Sequence, residues 1–271
     1  MTILSILWEA DPEIFSLGPV TVRWYGVLFA LAFFIGNLIM IRVYRLENKP
    51  EADLENLLVY MIVAVVVGAR LGHCLFYDPA YYLSNPLDIF KVWEGGLASH
   101  GGAAGILFSI YLYSRNKPDQ SYLWVLDRLV ITIALAGCFI RLGNLMNSEI
   151  VGLPSDLPWA FVFAKCGECG MLPRHPAQLY ESLSCLVLFA GLFMAYEKTR
   201  EKTPKGLYLG IFMVWVFGLR MVWEFFKENQ SDFEQSMLMN MGQLLSIPLV
   251  IAGIYLIVRA LAKGKPSLEI A

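Results

Sequence analysis

Charged residues are scarce in this sequence. Only 16% of its 271 residues are Asp, Glu, Lys or Arg, whereas 57% are hydrophobic, and the mean hydropathy is +0.56. Soluble globular domains carry about 25% charged residues. The composition therefore excludes an ordinary soluble protein and indicates a polytopic membrane protein.

The chain also lacks an internal repeat, a low-complexity tract and a separate soluble domain. Residues 1–271 are therefore predicted to form a single integral membrane domain. The first long apolar stretch exceeds the length of a signal-peptide core, so we expect it to remain as a membrane anchor. We expect membrane lipids, and no nucleic acid, among the partners.

Histidine and cysteine are rare, with three and five copies. Cys166 and Cys169 form a C-x-x-C pair, but a zinc site needs four ligands and only His175 lies near the pair. A local disulfide is the favoured interpretation in an oxidising compartment. The apolar stretches contain no pair of aspartates like those that bind metal in phosphotransfer to polyprenyl phosphates. We therefore expect no metal site.

Seven stretches are long and apolar enough to cross a bilayer, which takes roughly 17 to 25 residues. They predict an all-α fold with seven transmembrane helices. The third stretch differs from the others because it contains a histidine and several glycines. The seven stretches are residues 24–43, 57–76, 97–113, 122–145, 179–196, 207–226 and 243–262.

Lys and Arg residues are distributed unequally between the two sides of the membrane. Twelve follow the first, third, fifth and seventh stretches, whereas five lie on the opposite side. Because basic loops remain in the cytoplasm, the N-terminus is predicted to be outside and the C-terminus cytoplasmic. The longest connecting segment, at about 147–178, then lies on the outer side. Loops of this length are often functional.

Polar residues gather where two of the predicted spans end. Arg141 and Asn144 are three residues apart and share a helix face, and Glu149 follows in the adjoining loop. Arg220 and Glu224, four apart, also share a face. Such groups are costly at membrane depth unless they line a polar cavity or bind a ligand. A structural ion pair is the alternative, but two guanidinium groups at one depth suit a phosphate, because each donates parallel hydrogen bonds.

His100 stands among five glycines in EGGLASHGGAAG, residues 94–105. Glycines allow a ligand or a second helix to approach the backbone closely. His100 is therefore either a hydrogen-bonding residue between helices or a general base for a thiol, and the sequence leaves both open. Arg70 and His73, which approach the same outer face, are interpreted as supporting residues.

Five short motifs follow one another along the chain. They are WYG at 24–26, SHGG at 99–102, RLGNLMNSE at 141–149 with Gly152 after it, RHPAQLYE at 174–181, and R-x-x-x-E at 220–224. In order and spacing the chain resembles bacterial prolipoprotein diacylglyceryl transferases over nearly its whole length. One position departs from the family pattern: Ile140 stands where a glycine usually precedes the arginine, so the local geometry of Arg141 is in question.

The resemblance implies a seven-span enzyme of the bacterial cytoplasmic (inner) membrane, with its active site towards the periplasmic face. Such an enzyme transfers the diacylglyceryl group of phosphatidylglycerol to the lipobox cysteine of a prolipoprotein. A thioether forms and glycerol 1-phosphate is released, without a metal or another cofactor.

The resemblance also implies site residues. The catalytic residues are expected to be Tyr25, His100, Arg141 and Arg220. The residues expected to bind phosphatidylglycerol are Arg141 and Arg220 again, with Gly101, Asn144, Glu149, Gly152 and Glu224. Whether His100 or Tyr25 handles the thiol proton is left open. The alternative function is a transporter or flippase for anionic phospholipids, which needs a route to both faces, whereas the polar clusters lie on one side.

Overall fold

The computed structural model describes residues 5–18, 20–167, 169, 171–227 and 239–263. Most of these residues are helical. Within them lie eight α-helices, namely α1 Trp24–Leu46, α2 Glu51–Phe76, α3 Pro79–Ser84, α4 Ser99–Asn116, α5 Tyr122–Met146, α6 Ala177–Thr199, α7 Leu207–Trp223 and α8 Met241–Lys263.

Six of these helices are long and apolar enough to cross a membrane: α1, α2, α5, α6, α7 and α8. The third predicted span does form a helix, α4, of 18 residues. It falls outside the six because it begins near His100 and ends with Arg115 and Asn116, which lower its hydropathy. The structure thus confirms six of the seven predicted spans as candidates. The third predicted span, residues 97–113, and the orientation of the termini stay predictions.

The described residues include four short strands, so the fold is mostly helical and the predicted all-α class is only partly right. Strands β2, Glu13–Leu17, and β3, Val20–Arg23, form an antiparallel hairpin. Strands β1, Ile6–Trp8, and β4, Phe161–Phe163, pair in parallel, with Trp8 opposite Phe163. These strands could not be predicted from the sequence. A segment of three to five residues is too short to show the alternation of polar and apolar residues that indicates a strand.

The chain forms two compact units, residues 41–126 and residues 1–40 with 127–271. In the first, α2 and α4 pack closely through glycines. A Cβ atom added to Gly72 would lie 2.7 Å from the Cα of Gly101, and one added to Gly101 would lie 2.8 Å from the Cα of Gly72. The backbone N–H of Ala98 also donates to the carbonyl of Ala69 at 2.9 Å. Glycine at these positions lets the two backbones touch.

In the second unit, α5 carries the site residues at its C-terminal end. Two-thirds (67%) of the most apolar part of α5 is buried inside the protein, compared with 6–28% of the corresponding part of the other five helices of membrane-spanning length. The Asp127 carboxylate accepts hydrogen bonds from the backbone N–H groups of Gly206, at 2.6 Å, and Leu209, at 2.9 Å. These bonds satisfy donors at the start of α7. Ser182 of α6 donates to the carbonyl of Cys138 on α5 at 3.1 Å.

The contact between α2 and α4 predicts an unequal response to added methyl groups. Gly72→Ala should lower the midpoint of thermal unfolding in detergent, because the added carbon meets backbone atoms and overpacking costs about 1–3 kcal/mol. Gly191→Ala in α6 is the matched control, since nothing lies within 4 Å of its added Cβ. Equal midpoints for the two variants would show that the glycine contact is not tight.

Candidate active site

The predicted site residues fall in both units. His100 and Gly101 belong to residues 41–126, and the other seven belong to the second unit.

Arg141, Asn144 and Glu149 form a hydrogen-bonded chain at the end of α5. Arg141 Nη1 donates to Asn144 Oδ1 at 3.3 Å, and Asn144 Nδ2 donates to Glu149 Oε1 at 2.7 Å. Helix α5 is continuous through Ile140 to Met146, so the branched residue at the usual glycine position does not break it. The predicted grouping of the three side chains is confirmed.

The turn that returns Glu149 to this chain is strained. Ser148 and Ile150 have φ angles of 53° and 57°, in the left-handed region, which costs L residues roughly 1–2 kcal/mol each. The turn is held by hydrogen bonds to Glu149 itself. Its N–H donates to the carbonyl of Asn144 at 3.1 Å, and Gln178 Nε2 donates to its carbonyl at 2.6 Å. Strain kept in this way is common at functional sites.

A second set of contacts fixes the other side of Arg141. Its Nε forms an ion pair with Glu181, and the same carboxylate pairs with Lys227. Glu181 and Lys227 are buried, with side-chain exposures of 9% and 7%, whereas Arg141 is 28% exposed. One desolvated carboxylate therefore orients two cations.

The sequence analysis missed Glu181 and Lys227 as site residues. Glu181 did carry a signal, because an acidic residue inside a predicted span usually has a functional partner. Lys227 carried none, since it follows the sixth span as any loop lysine does. Its place beside Glu181 follows from the pairing of its own segment with the loop at Gly152.

The backbone at Gly152 connects the loop to two other segments. Its N–H donates to the carbonyl of His175 at 3.0 Å, and the next N–H, of Leu153, donates to the carbonyl of Phe226 at 2.8 Å. A Cβ at Gly152 would lie 2.6 Å from the Cβ of His175 and 2.8 Å from the carbonyl oxygen of Phe226. Only glycine allows this approach, which brings Lys227 next to the loop.

The buried Arg174 braces the same loop. It donates through Nη1 to the carbonyl of Gly152 at 3.2 Å and through Nε and Nη2 to that of Cys169 at 3.3 Å. Cys169 is joined to Cys166 by a disulfide, which confirms the preferred interpretation of the C-x-x-C pair. Nearby, His175 Nδ1 lies 3.3 Å from the Tyr180 hydroxyl, and burial lowers the pKa of His175.

Arg220 and Glu224 meet as predicted, but more loosely. Arg220 Nε lies 3.4 Å from Glu224 Oε1, and the Arg220 side chain is 46% exposed. This exposure argues against the alternative of a buried structural ion pair. Glu224 is only 10% exposed and accepts a hydrogen bond from Asn240 Nδ2 at 3.2 Å. The carboxylate is thus held in place, while the guanidinium stays accessible to a ligand.

Tyr25 packs directly against the end of α5. A Cβ at Gly143 would lie 2.7 Å from Tyr25 Cδ2, so this glycine makes room for the ring. The Tyr25 phenol lies in the electrostatic field of Glu149 and Arg141. Among the described residues its hydroxyl has no hydrogen-bond partner.

His100 and Gly101 lie in the first turn of α4. The His100 side chain is exposed and forms no hydrogen bond to the residues that the structure describes. Among the described residues, the His100 side chain therefore makes no hydrogen bond between helices. Gly101 contacts α2 through its backbone, so close helix packing accounts for its small size.

Comparison with known proteins identifies one family. The family model described as prolipoprotein diacylglyceryl transferase matches residues 12–259. A curated protein named phosphatidylglycerol--prolipoprotein diacylglyceryl transferase, from Chloroherpeton thalassium, is 50% identical over 96% of each chain. Proteins with the same name from Tolumonas auensis and Bacteroides fragilis are 49% and 43% identical, over 93% of this chain and 96% and 94% of theirs.

The shared ion pair of Glu181 predicts a large effect on stability. Glu181→Gln leaves the buried Lys227 and the partly exposed Arg141 without their carboxylate. Removing one partner of a buried pair costs on the order of 3–5 kcal/mol. Thermal unfolding in one detergent measures the loss. Adding Lys227→Met to Glu181→Gln should restore part of it, because the uncompensated buried ammonium is then gone.

Glu51→Gln serves as the control for this experiment. Glu51 pairs with Arg45 at 2.7 Å, but the two side chains are 50% and 65% exposed, and exposed pairs contribute about 1 kcal/mol or less. If Glu181→Gln and Glu51→Gln unfold at the same temperature, the buried network does not organise the site.

Proposed function

Because the chain belongs to the prolipoprotein diacylglyceryl transferase family, we propose that Arg141 and Arg220 bind the phosphate of phosphatidylglycerol during transfer. The enzyme moves the diacylglyceryl group of phosphatidylglycerol to a prolipoprotein. The acceptor in this proposal is the thiol of the lipobox cysteine. The proposal also retains the predicted location in the bacterial cytoplasmic membrane, with the site towards the periplasm.

The observation that carries the proposal is the fixed orientation of Arg141. Its Nε is paired with the buried Glu181 and its Nη1 with Asn144. Arg141 forms no other ion pair or side-chain hydrogen bond among the residues that the structure describes, and its side chain is 28% exposed. This orientation presents part of a planar, permanently charged group to an oxygen of a phosphodiester.

The reaction places charge where Arg141 and Arg220 are expected to act. The cysteine thiolate attacks the terminal glyceryl carbon of the diacylglyceryl group, a C–S bond forms, and the C–O bond to the phosphate breaks. The bond's electron pair stays on the departing glycerol phosphate, so a phosphodiester with one negative charge becomes a phosphate monoester with two. A donor that is already oriented stabilises this added charge more than the ground state, which is the condition for catalysis.

Arg220 complements Arg141 by being accessible. Its only ion pair among the described residues is the 3.4 Å contact with Glu224. A half-exposed guanidinium can exchange this long contact for a bidentate contact with phosphate, while Asn240 still holds Glu224. In the proposal, Asn144, Glu149 and Glu224 orient the two arginines and accept hydrogen bonds from the glycerol hydroxyls.

The thiol proton goes to His100 in this proposal. The exposed imidazole has no competing partner among the described residues, and a neutral imidazole accepts protons readily. Tyr25, which lies beside the end of α5, orients the phosphate. Gly101 and Gly152 contribute backbone geometry that a side chain would obstruct.

Substitution of the arginines tests the phosphate site. Arg141→Gln and Arg220→Gln should each lower kcat/KM by roughly 10²–10³, the range for removing one donor to a developing anion. Lysine should restore activity only in part, because it keeps the charge but loses the planar fork. Arg45→Gln, which alters an exposed pair with Glu51, should stay near wild type. A fully active Arg141→Gln enzyme contradicts the phosphate site.

The reaction itself can be measured with purified enzyme, phosphatidylglycerol and a short lipobox peptide. Glycerol phosphate should appear in equal amount to peptide that has gained one diacylglyceryl group, and a peptide with Ser in place of Cys should stay unmodified, since a hydroxyl is a poorer nucleophile than a thiolate. Absence of product under these conditions contradicts the transferase function.

A pH profile tests His100 separately. Activity should rise with pH on the acidic side, because only a neutral imidazole accepts a proton. His100→Gln should be slow and should lose this rise. If His100→Gln keeps a substantial rate and the same profile, the transfer reaction stands and the role of His100 as a base does not.

A further inference from the structure

Helix α8 begins beside the carboxylate of Glu224. Asn240, which immediately precedes the helix, donates from Nδ2 to Glu224 Oε2 at 3.2 Å. The other carboxylate oxygen, Oε1, lies 3.4 Å from Arg220 Nε. Asn240 and Arg220 are the side-chain partners of Glu224 among the residues that the structure describes. The carboxylate therefore contacts both α7 and the start of α8.

Reciprocal hydrogen bonds fix the start of α8. Asn240 Oδ1 accepts from the backbone N–H of Gln243 at 2.9 Å, and Gln243 Oε1 accepts from the backbone N–H of Asn240 at 3.2 Å. Such a pair of bonds satisfies two donors at the beginning of a helix. The buried Gln243 also donates from Nε2 to the carbonyl of Met221 on α7 at 3.3 Å. The first turn of α8 is therefore held against the helix that carries Arg220.

Gly242, in this first turn, lies directly against Glu224. A Cβ atom added to Gly242 would be 2.7 Å from Glu224 Oε1 and 2.8 Å from its Cδ, and the three nearest atoms all belong to this one side chain. Gly242 lies within the helix and has no positive φ angle, so its backbone conformation does not require glycine. A glycine within a helix lowers stability relative to alanine. Space for the carboxylate accounts for the glycine at this position.

Gly253, further along α8, has a different environment. The three atoms nearest to an added Cβ there belong to Gly210, Met213 and Val214, each at 2.9 Å. All three residues lie on α7, so Gly253 serves the packing of the two helices. The contact of Gly242 with a single charged group is therefore separate from this packing.

The position of Glu224 at the start of α8 limits how tightly it holds Arg220. The N-terminal end of a helix carries a partial positive charge, which favours a carboxylate, and Asn240 adds a hydrogen bond. Both interactions compete with Arg220 for the same negative charge. The Arg220 side chain accordingly stays 46% exposed, whereas that of Arg141, which pairs more closely with Glu181, is 28% exposed.

We propose that Gly242 is a positioning residue for the transfer reaction and that it acts through Glu224 on Arg220. Because Gly242 leaves space for the carboxylate at the start of α8, Arg220 stays available to the phosphate of phosphatidylglycerol. This inference rests on the phosphate site proposed above. Gly242 itself contacts neither the phosphate nor the thiol in this proposal.

Gly242→Ala tests the proposal in the assay with purified enzyme, phosphatidylglycerol and lipobox peptide. The added methyl group displaces the carboxylate from α8, so Arg220 becomes its main partner and the phosphate has to break a tighter ion pair. The KM for phosphatidylglycerol should rise about ten-fold with little change in kcat, because the ground state and the transition state lose the same binding. The KM for the peptide should not change. Gly191→Ala, with nothing within 4 Å of its added Cβ, is the control and should keep the wild-type constants.

A shorter carboxylate distinguishes this role from general damage to the helix. In Gly242→Ala combined with Glu224→Asp, the carboxylate is withdrawn by one methylene group and the added methyl group has room. The KM of this double variant for phosphatidylglycerol should therefore be lower than that of Gly242→Ala alone. A wild-type KM in Gly242→Ala would overturn the proposal. So would a double variant in which the effects of the two single substitutions simply add, because residues that act through contact are not independent.

Arg220→Gln separates this proposal from the phosphate site itself. If Gly242 acts through Arg220, adding Gly242→Ala to Arg220→Gln should change the KM for phosphatidylglycerol little. An Arg220→Gln enzyme with wild-type activity would contradict the phosphate site, and the role of Gly242 with it. A slow Arg220→Gln enzyme whose KM still rises about ten-fold on adding Gly242→Ala would show independent effects and would overturn only the role of Gly242.

Discussion

The carboxylate of Glu181 is the group on which the geometry of the site depends. It pairs with Arg141 at the end of α5 and with Lys227 after α7, and it projects from the first turns of α6. Three segments of the second unit therefore converge on one buried anion. Breaking such a network leaves charges without partners in a medium of low dielectric, which is strongly unfavourable. The positions of the cations are consequently determined by the fold before any lipid binds.

Preorganisation of this kind has a cost in the surrounding backbone. Ser148 and Ile150 adopt left-handed conformations on either side of Glu149, and Gly152 allows a backbone approach that a Cβ would prevent. Hydrogen bonds from Gln178 and Arg174 hold these two segments in place. Donors fixed in this way need little rearrangement as charge develops on the leaving phosphate, which is how oriented dipoles and charges lower a barrier.

The sequence allowed prediction of the features that depend on composition and local spacing. Apolar length predicted the six candidate spans, the three-residue spacing of Arg141 and Asn144 predicted their contact, and the C-x-x-C spacing predicted the disulfide. The pair Arg220 and Glu224 was predicted as well, but the 3.4 Å separation of the two groups and the partial exposure of Arg220 were not.

Contacts between distant segments were not predictable in the same way. The pairing of Lys227 with Glu181 joins residues 46 positions apart, and no local pattern encodes it. The parallel pairing of β1 with β4 likewise joins segments more than 150 residues apart. The hydrogen bonds from Arg70 to four carbonyls within residues 88–96 could not be predicted either, although the arginine itself stood out as an ionisable residue in an apolar run.

In the proposed reaction, Arg141 stabilises the charge that appears on the phosphate as the C–O bond breaks. The most direct test of this role compares the affinities of wild type and Arg141→Lys for phosphatidylglycerol and for glycerol 1-phosphate, measured at equilibrium in the same detergent. The variant should lose more affinity for the dianionic product than for the monoanionic lipid, by about ten-fold or roughly 1.4 kcal/mol. Equal losses for the two ligands, or no loss for either, would contradict it.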